Sequence, residues 1–558
     1  MKNHSIKTIA IGIDGVSKNR IMNYIRAGKM PVIGKLLSGS SYGTLNSTIL
    51  PITPVAWSAS YTGKNPGKMG TYGFTRRKKG SYDWVWFYPS LRTSRDLWEI
   101  LSDFGLRSIV VGMPFTEPVR PFSGVMVAGS FTSNPENSVY PANLRQKILD
   151  DLGYRKAVIK KGTLDEYHSS MEKRFYVASY LMEEYGGDLI AVGFEQMEEA
   201  HHNMMVTNPA LLERIYRTFD ELLGDFLARF RNEVNLFIYS DHGHIIFPKV
   251  FHLNSWLISQ GYFRLRNKRE LKEIQRKRRR FEYNSLREKN RSLIKALFYF
   301  GIYFLADFLL KYFPRIRRIF PFLRLPFGAK PAYFGLTGED YTTQIYDYKR
   351  TLAYPYLNAS GNYGAIYINK RDREPLGTVE GKGAYEDLRD RLMAELVSIR
   401  DEKTGEKVVT KVWRKEDLFK GPYVEDIYDV VFETNKNYYV STSDKDVNPN
   451  MVIRDLYLSQ HEKEGFFLAS GPGIKKRNST SSEIINIMPT ILYAMGLPIP
   501  SDVDGRVIEE IFEGSHLKAQ PLRIYSANNA VVLGKGKDLS REEEEALKEK
   551  LKGLGYLG

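Results

Sequence analysis

The sequence predicts an α/β fold built on a mostly parallel sheet. Short apolar, β-rich runs recur through the first half: "TIAIGID", "SIVVGMP", "DLIAVGF" and "NLFIYSD". Helical patterns such as "SRDLWEILSDFG" and "PALLERIYRTFDELLGDFLARF" lie between several of them. Strands alternating with helices of this length pair in parallel under right-handed crossovers. Three of the runs end in, or soon reach, a carboxylate: Asp14, Glu198 and Asp241. Open α/β sheets gather ligands at the carboxyl ends of their strands, so these acids are expected to converge.

Taken in order, Thr8–Ile13 reads as a buried strand, followed by a helix around "NRIMNYIRAG". In "ILPITPVAWSASYTG", Thr53 stands between Pro51 and Pro54, and small and apolar residues run on to Gly63. Proline favours the first helical position, which puts Pro54 there and Thr53 at or beside the N-cap. Thr53 either caps this uncharged helix or is activated for chemistry, because a helix N-terminus favours anions such as phosphate. After residue 330, "YGAIYIN", "DVVFET" and "GFFLASGPGI" resume strand-like text, and "SSEIINIMPTILYAMGL" reads as a helix ending at Gly496. The tail reads as a polar helix capped by Ser540. The expected organisation is a core in two parts, 1–263 and 331–558, separated by an insert over 264–330.

The net charge of +16 is concentrated in that insert. Residues 264–330 hold 20 Lys/Arg against 5 Asp/Glu, a balance of +15, which leaves +1 for everything else. The protein is therefore a nearly neutral one carrying a basic, aromatic-rich segment. It has no cysteine, which excludes disulfides, thiolate metal sites and a cysteine nucleophile. Any metal must be held by Asp, Glu and His. The N-terminus does not read as a signal peptide, and the composition fits a cytoplasmic protein.

Four places carry candidate chemistry. In "YSDHGH", Asp241 and His242 follow a strand directly, which suits a divalent cation or, alternatively, a capped turn. In "GFEQMEEAHHNMM", Glu198 and His202 are four apart and share a helix face, so they could chelate one metal. The same text also reads as an acidic helix start, with Glu195, Glu198 and Glu199 favouring the dipole. His461 precedes a core strand, and Asp14 follows the first one; each is either a ligand or a local structural residue. Together these positions supply three carboxylates and three histidines, and Thr53 supplies a nucleophile that a metal would activate.

With these motifs in this order, the chain resembles the alkaline phosphatase superfamily, in the branch of type I phosphodiesterases and nucleotide pyrophosphatases. It is similar to the microbial phosphohydrolase/phosphomutase group of that branch, which "NPGKMGTYGF", "MPFTEPV", "PTILYAMGLPIPSDVDGRV" and "LKGLGYLG" also echo. The resemblance covers nearly the whole chain apart from the insert. It implies a three-layer α/β/α sandwich with the insert as a helical cap. It also implies two divalent ions, usually zinc, with manganese as the alternative. One ion would be held by Asp14, Thr53, Asp241 and His242, and the other by Glu198, His202 and His461. Thr53 would attack a phosphoryl group in line, and water would release the phosphothreonine. No Cys or Ser stands in a sulfatase-type context. Two positions depart from the pattern. Glu198 stands where the family has Asp, leaving His201 and Glu195 as rival ligands. Ala56 stands where the eukaryotic nucleotide pyrophosphatases have a phosphate-holding Asn, so the substrate pocket around Thr53 and Ala56 is expected to differ from theirs.

Within the insert, "LIKALFYFGIYFLADFLL" has only 11 uncharged residues in a row, Ala296 to Ala306. A span needs roughly 20. Basic flanks around an aromatic helix suit the surface of an anionic membrane, at the inner face for a cytoplasmic protein. A cap packed on the core and a dimer contact are the alternatives, and no specific nucleic-acid partner is expected. The expected activity is a metal-dependent phosphoric ester hydrolase, acting on a diester, pyrophosphate or monoester. A catalytically impaired binding protein on the same fold and a phosphotransferase for a lipid-linked phosphate are the rival readings.

Overall fold

The computed structural model describes residues 6–86, 94–129, 137–154, 162–230, 234–266, 346–358, 360–442 and 452–527. The expected insert lies outside the described residues except for 264–266, and so does the helix expected from Ser540. Among the described residues no helix is long and apolar enough to cross a membrane.

The central sheet has nine strands among the described residues. Their spatial order is Asn478–Glu483, Ser41–Asn46, Glu464–Ser470, Asn235–Tyr239, Thr8–Ile13, Leu189–Phe194, Ser108–Val111, Gly124–Val127 and Val139–Tyr140. The five strands from Asn235–Tyr239 to Gly124–Val127 run parallel, with Thr8–Ile13 between Leu189–Phe194 and Asn235–Tyr239. Every residue of these three strands is buried, as expected of strands covered by helices on both faces.

Side chains alternate between two cores. Ile9, Ile11, Ile13, Ile190, Val192 and Ile238 point into one, beside the helices Lys18–Arg26, Leu164–Tyr185 and Pro209–Leu227. Ala10, Ala191, Phe237 and Tyr239 point into the other, beside Thr53–Thr62, Leu97–Asp103 and Ile487–Ala494. This is the expected three-layer arrangement. A second, antiparallel sheet orders Ala353–Pro355, Tyr363–Ile368, Val430–Thr434 and Val409–Arg414. A third joins Tyr438–Ser441, Gly243–His252 and Val452–Glu462.

All ten residues of Thr53–Thr62 are buried, which is why the helix carries no charge. It ends at Gly63, whose φ of +65° closes the last turn. Its start differs by one residue from the sequence expectation. Ile52 is the N-cap, because its carbonyl already accepts from the N–H groups of Val55 and Ala56. Thr53 is thus the first helical residue and Pro54 the second, which puts the Thr53 hydroxyl at the helix entrance. The helix expected from Ser481 begins only at Ile487. Ser481 and Ser482 belong instead to the polar edge strand Asn478–Glu483, which pairs in parallel with Ser41–Asn46.

Gly12 joins the first strand to this helix. A Cβ there would lie 2.5 Å from the Trp57 ring. Gly12→Ala is expected to destabilise the fold by about 1–3 kcal/mol, the usual cost of overpacking. Calorimetry should show a lower Tm, and an unchanged Tm would mean that Trp57 gives way freely.

Candidate active site

The three adjacent parallel strands deliver their acids to one edge. Asp14 follows Ile13, and Asp241 and His242 follow Tyr239 by two and three residues. Glu198 sits in the first turn of Gln196–Met204, directly after Leu189–Phe194. Glu464–Ser470 runs antiparallel beside Asn235–Tyr239, so its start lies at the same edge. The strand before it, Val452–Glu462, brings in His461. That strand pairs with Gly243–His252 so that His244 and His461 stand directly opposite each other.

Asp14, Asp241 and His242 form one group, with their ligand atoms all within 4.8 Å of one another. His242 Nε2 lies 3.2 Å from Asp241 Oδ2, 3.7 Å from Asp14 Oδ1 and 3.4 Å from Thr53 Oγ1. The Gly243 carbonyl faces His242 Nδ1 at 3.2 Å. A carbonyl can only accept, so Nδ1 carries the proton and Nε2 turns its lone pair to the acids and Thr53. Trp57 lies one turn beyond Thr53 and donates Nε1–H to Asp14 Oδ2 at 3.1 Å. The helix that carries the hydroxyl therefore also orients an acid. The Gly15 N–H donates to Asp241 Oδ1 at 3.1 Å.

Glu198, His202, His244 and His461 form the second group, again within 4.8 Å. Glu198 Oε1 lies 2.9 Å from His202 Nε2 and 2.7 Å from His461 Nε2, and Oε2 lies 2.7 Å from His244 Nε2. His461 Nδ1 faces the Pro51 carbonyl at 2.8 Å, which places its proton there. The Ser360 hydroxyl donates to the same carbonyl at 2.8 Å. The two groups abut, with the rings of His242 and His461 stacked at 4.0 Å. Gly15 makes room for the second group: at its φ of +73°, a Cβ would lie 2.0 Å from Glu198 Oε2.

The rival ligands are engaged elsewhere. Glu195 forms a buried ion pair with Arg174, whose guanidinium also reaches the Gly112 and Gly193 carbonyls. His201 bonds the Tyr216 hydroxyl through Nε2 at 2.8 Å and stacks on His244. Ala56 is fully buried one turn into the helix. His244 is the residue that the sequence reading passed over. Its signal was the "HGH" spacing, since alternate residues of a strand share a face.

The donor set fits cations. Asp14 Oδ1 and Asp241 Oδ2 are buried and accept no hydrogen bond from the described residues. Burial, then the neighbouring Asp241 and Glu198 carboxylates, push Asp14 well above the usual carboxylate range. Burial and Glu198 push Asp241 up to about 7. Burial holds the imidazoles of His242 and His244 neutral, with His244 lowered to about 3. The imidazoles are thus in the neutral form that ligates metals, and a cation between the two raised acids would return them to their ionised, ligating form.

Carboxylates and neutral imidazoles gathered at the carboxyl edge of a parallel sheet, beside a helix-entrance hydroxyl, define a metal-dependent hydrolase on an α/β scaffold. A family model described as type I phosphodiesterase / nucleotide pyrophosphatase matches residues 8–297, more than half of the chain. The chain belongs to this family and is a phosphoric ester hydrolase. Phosphonoacetate hydrolase from Sinorhizobium meliloti 1021, solved with phosphonoformate, is similar in structure. The match has a TM-score of 0.51 and 15% identity, and it covers 88% of this chain and 95% of that one. Murine ectonucleotide pyrophosphatase / phosphodiesterase 5, solved as an inactive threonine-to-alanine form with AMP, is also similar. Here the TM-score is 0.50 and the identity 11%, covering 92% of this chain and 100% of that one. At these identities the likeness concerns the fold. No curated protein matches the chain in sequence.

The Glu195–Arg174 pair generates a test of its own. Glu195→Ala leaves a buried guanidinium without its partner, which typically costs about 3–5 kcal/mol. Urea unfolding should show that loss, while metal content measured on the folded protein should stay at the wild-type value.

Proposed function

We propose that this protein hydrolyses a phosphoric ester through Thr53 as nucleophile, with two divalent cations at the two groups. Asp14, Asp241, His242 and Thr53 would hold one cation, and Glu198, His202 and His461 the other, with zinc as the usual metal of such N/O sites. The observation that carries this reading is the place of Thr53. Its hydroxyl stands on the first residue of a fully buried helix and lies 3.4 Å from the Nε2 of His242. The inactive threonine-to-alanine form of the murine neighbour is in keeping with it.

When bound, the cations would neutralise charge on the phosphoryl oxygens and favour the alkoxide of Thr53. The chain's own residues do the rest. The helix N-terminus presents N–H groups and a positive dipole end to the phosphate. Thr53 Oγ1 attacks phosphorus in line as the bond to the leaving oxygen breaks. Water then cleaves the phosphothreonine and restores the hydroxyl. Trp57 and the Gly15 N–H hold Asp14 and Asp241 in place while charge moves. Ala56 offers the phosphate no polar side chain, so the phosphate-holding Asn of the eukaryotic enzymes has no counterpart there. The substrate class includes diesters, pyrophosphates and monoesters.

Thr53→Ala should lower turnover of bis-p-nitrophenyl phosphate on the order of 10⁴-fold or more, the scale of losing a nucleophile. Its metal content should match the wild type, and undiminished turnover would remove Thr53 from the mechanism. Chelation should abolish activity, and added zinc or manganese should restore it. The charge of +15 over 264–330 supports contact with an anionic membrane surface at the cytoplasmic face. Liposome flotation of the full chain should depend on acidic lipid, and flotation unaffected by deleting 264–330 would sink that part of the reading.

A further inference from the structure

The second group has one more nitrogen than the ligand set proposed above. His244 Nδ1 lies 3.2 Å from the Ser459 hydroxyl, whose own proton is directed at Met205 Sδ, also at 3.2 Å. Ser459 therefore accepts from Nδ1–H, and His244 turns the lone pair of Nε2 toward Glu198 Oε2, 2.7 Å away. Lone pair against carboxylate is unfavourable unless a cation lies between them. His461 also brings its Nε2 to Glu198, 2.7 Å from Oε1, while its Nδ1 faces the Pro51 carbonyl. The strand register sets His244 and His461 side by side, and their rings lie 5.0 Å apart. The bare Cα of Gly15 leaves the space that Glu198 Oε2 and the His244 ring occupy. The extra methylene of Glu198 brings both of its oxygens to the meeting point.

We propose that His244 is a fourth protein ligand of the Glu198 centre. This inference rests on the two-cation reading above and deepens it. Three imidazoles and one carboxylate would give a cation at this centre four protein donors, one more than the set proposed above. Through His461 this centre is also tied to the Pro51 carbonyl, two residues before Thr53. The replacement of Asp by Glu at position 198 and the presence of His244 become one change, because the longer acid reaches an additional imidazole.

The test uses the full-length protein loaded with cobalt(II), without reference to turnover. Each ligating neutral imidazole keeps one N–H, which proton NMR reads as a hyperfine-shifted, exchangeable signal. Wild-type protein should show four, from His202, His242, His244 and His461. His244→Ala should show three, lose part of the visible band of four-coordinate cobalt, and bind the ion at that centre more than ~100-fold more weakly, beyond the ~10–100-fold cost of an outer-sphere partner. Three signals in the wild type, or an unchanged visible band in His244→Ala, would overturn the assignment. The wild-type count does not depend on the variant folding. Binding of fewer than two equivalents of cobalt would instead overturn the two-cation reading, so the two failures are distinguishable.

Discussion

Acceptors facing acceptors, out of reach of water, are the constraint around which this site is organised. Two histidines have their protons committed to backbone carbonyls, Gly243 for His242 and Pro51 for His461, and so turn lone pairs toward carboxylates 2.7 to 3.7 Å away. Asp14 and Asp241 are fully buried and next to each other. Such an arrangement is unfavourable by itself, because buried like charges and unshared lone pairs repel. The cations proposed for these groups would make it favourable and would couple their binding to the stability of the fold. A buried acid pushed up to about 7, as Asp241 is, is the mark of a group shaped for a charged partner.

The scaffold supports this constraint at several backbone positions. Gly15 turns with φ +73° directly after Asp14, and its missing side chain is the space that Glu198 fills. Leu50, which is not a glycine, has φ +58° just before Pro51, in the loop that presents its carbonyl to His461. Non-glycine residues in that region carry a local cost of about 1–2 kcal/mol, and such strain clusters at functional sites. The buried helix Thr53–Thr62 links hydroxyl, acid and core, since Trp57 bonds Asp14 and packs over Gly12. Moving any one of these groups moves the others.

Much of the fold was legible because the buried strands are short, apolar and separated by amphipathic helices. Thr8–Ile13, Leu189–Phe194 and Asn235–Tyr239 each announce themselves by composition. The strand Asn478–Glu483 did not. Its "NSTSSE" text carries no apolar alternation, and it is held by pairing with a distant segment. The start of the following helix was misplaced for the same reason, since polar residues at a sheet edge look like a helix N-terminus. His244 was hidden in plain view, because a strand running straight out of "DHGH" is a tertiary fact. Its partner strand lies more than 200 residues further on.

By itself, the sequence determined the class of the protein: the alternation that makes a parallel sheet, the acids that close its strands, the hydroxyl between prolines, and the absence of cysteine. These are local properties, set by side-chain chemistry within a few residues. Which of two neighbouring groups faces the centre was decided only in three dimensions. Glu195 and Glu198, and likewise His201 and His202, are close on a helix surface, where each residue turns by about 100°. Packing against Arg174 and Tyr216 draws Glu195 and His201 away and leaves Glu198 and His202 facing His461. Helix rotation is fixed by long-range contacts, so no local pattern could have made that choice.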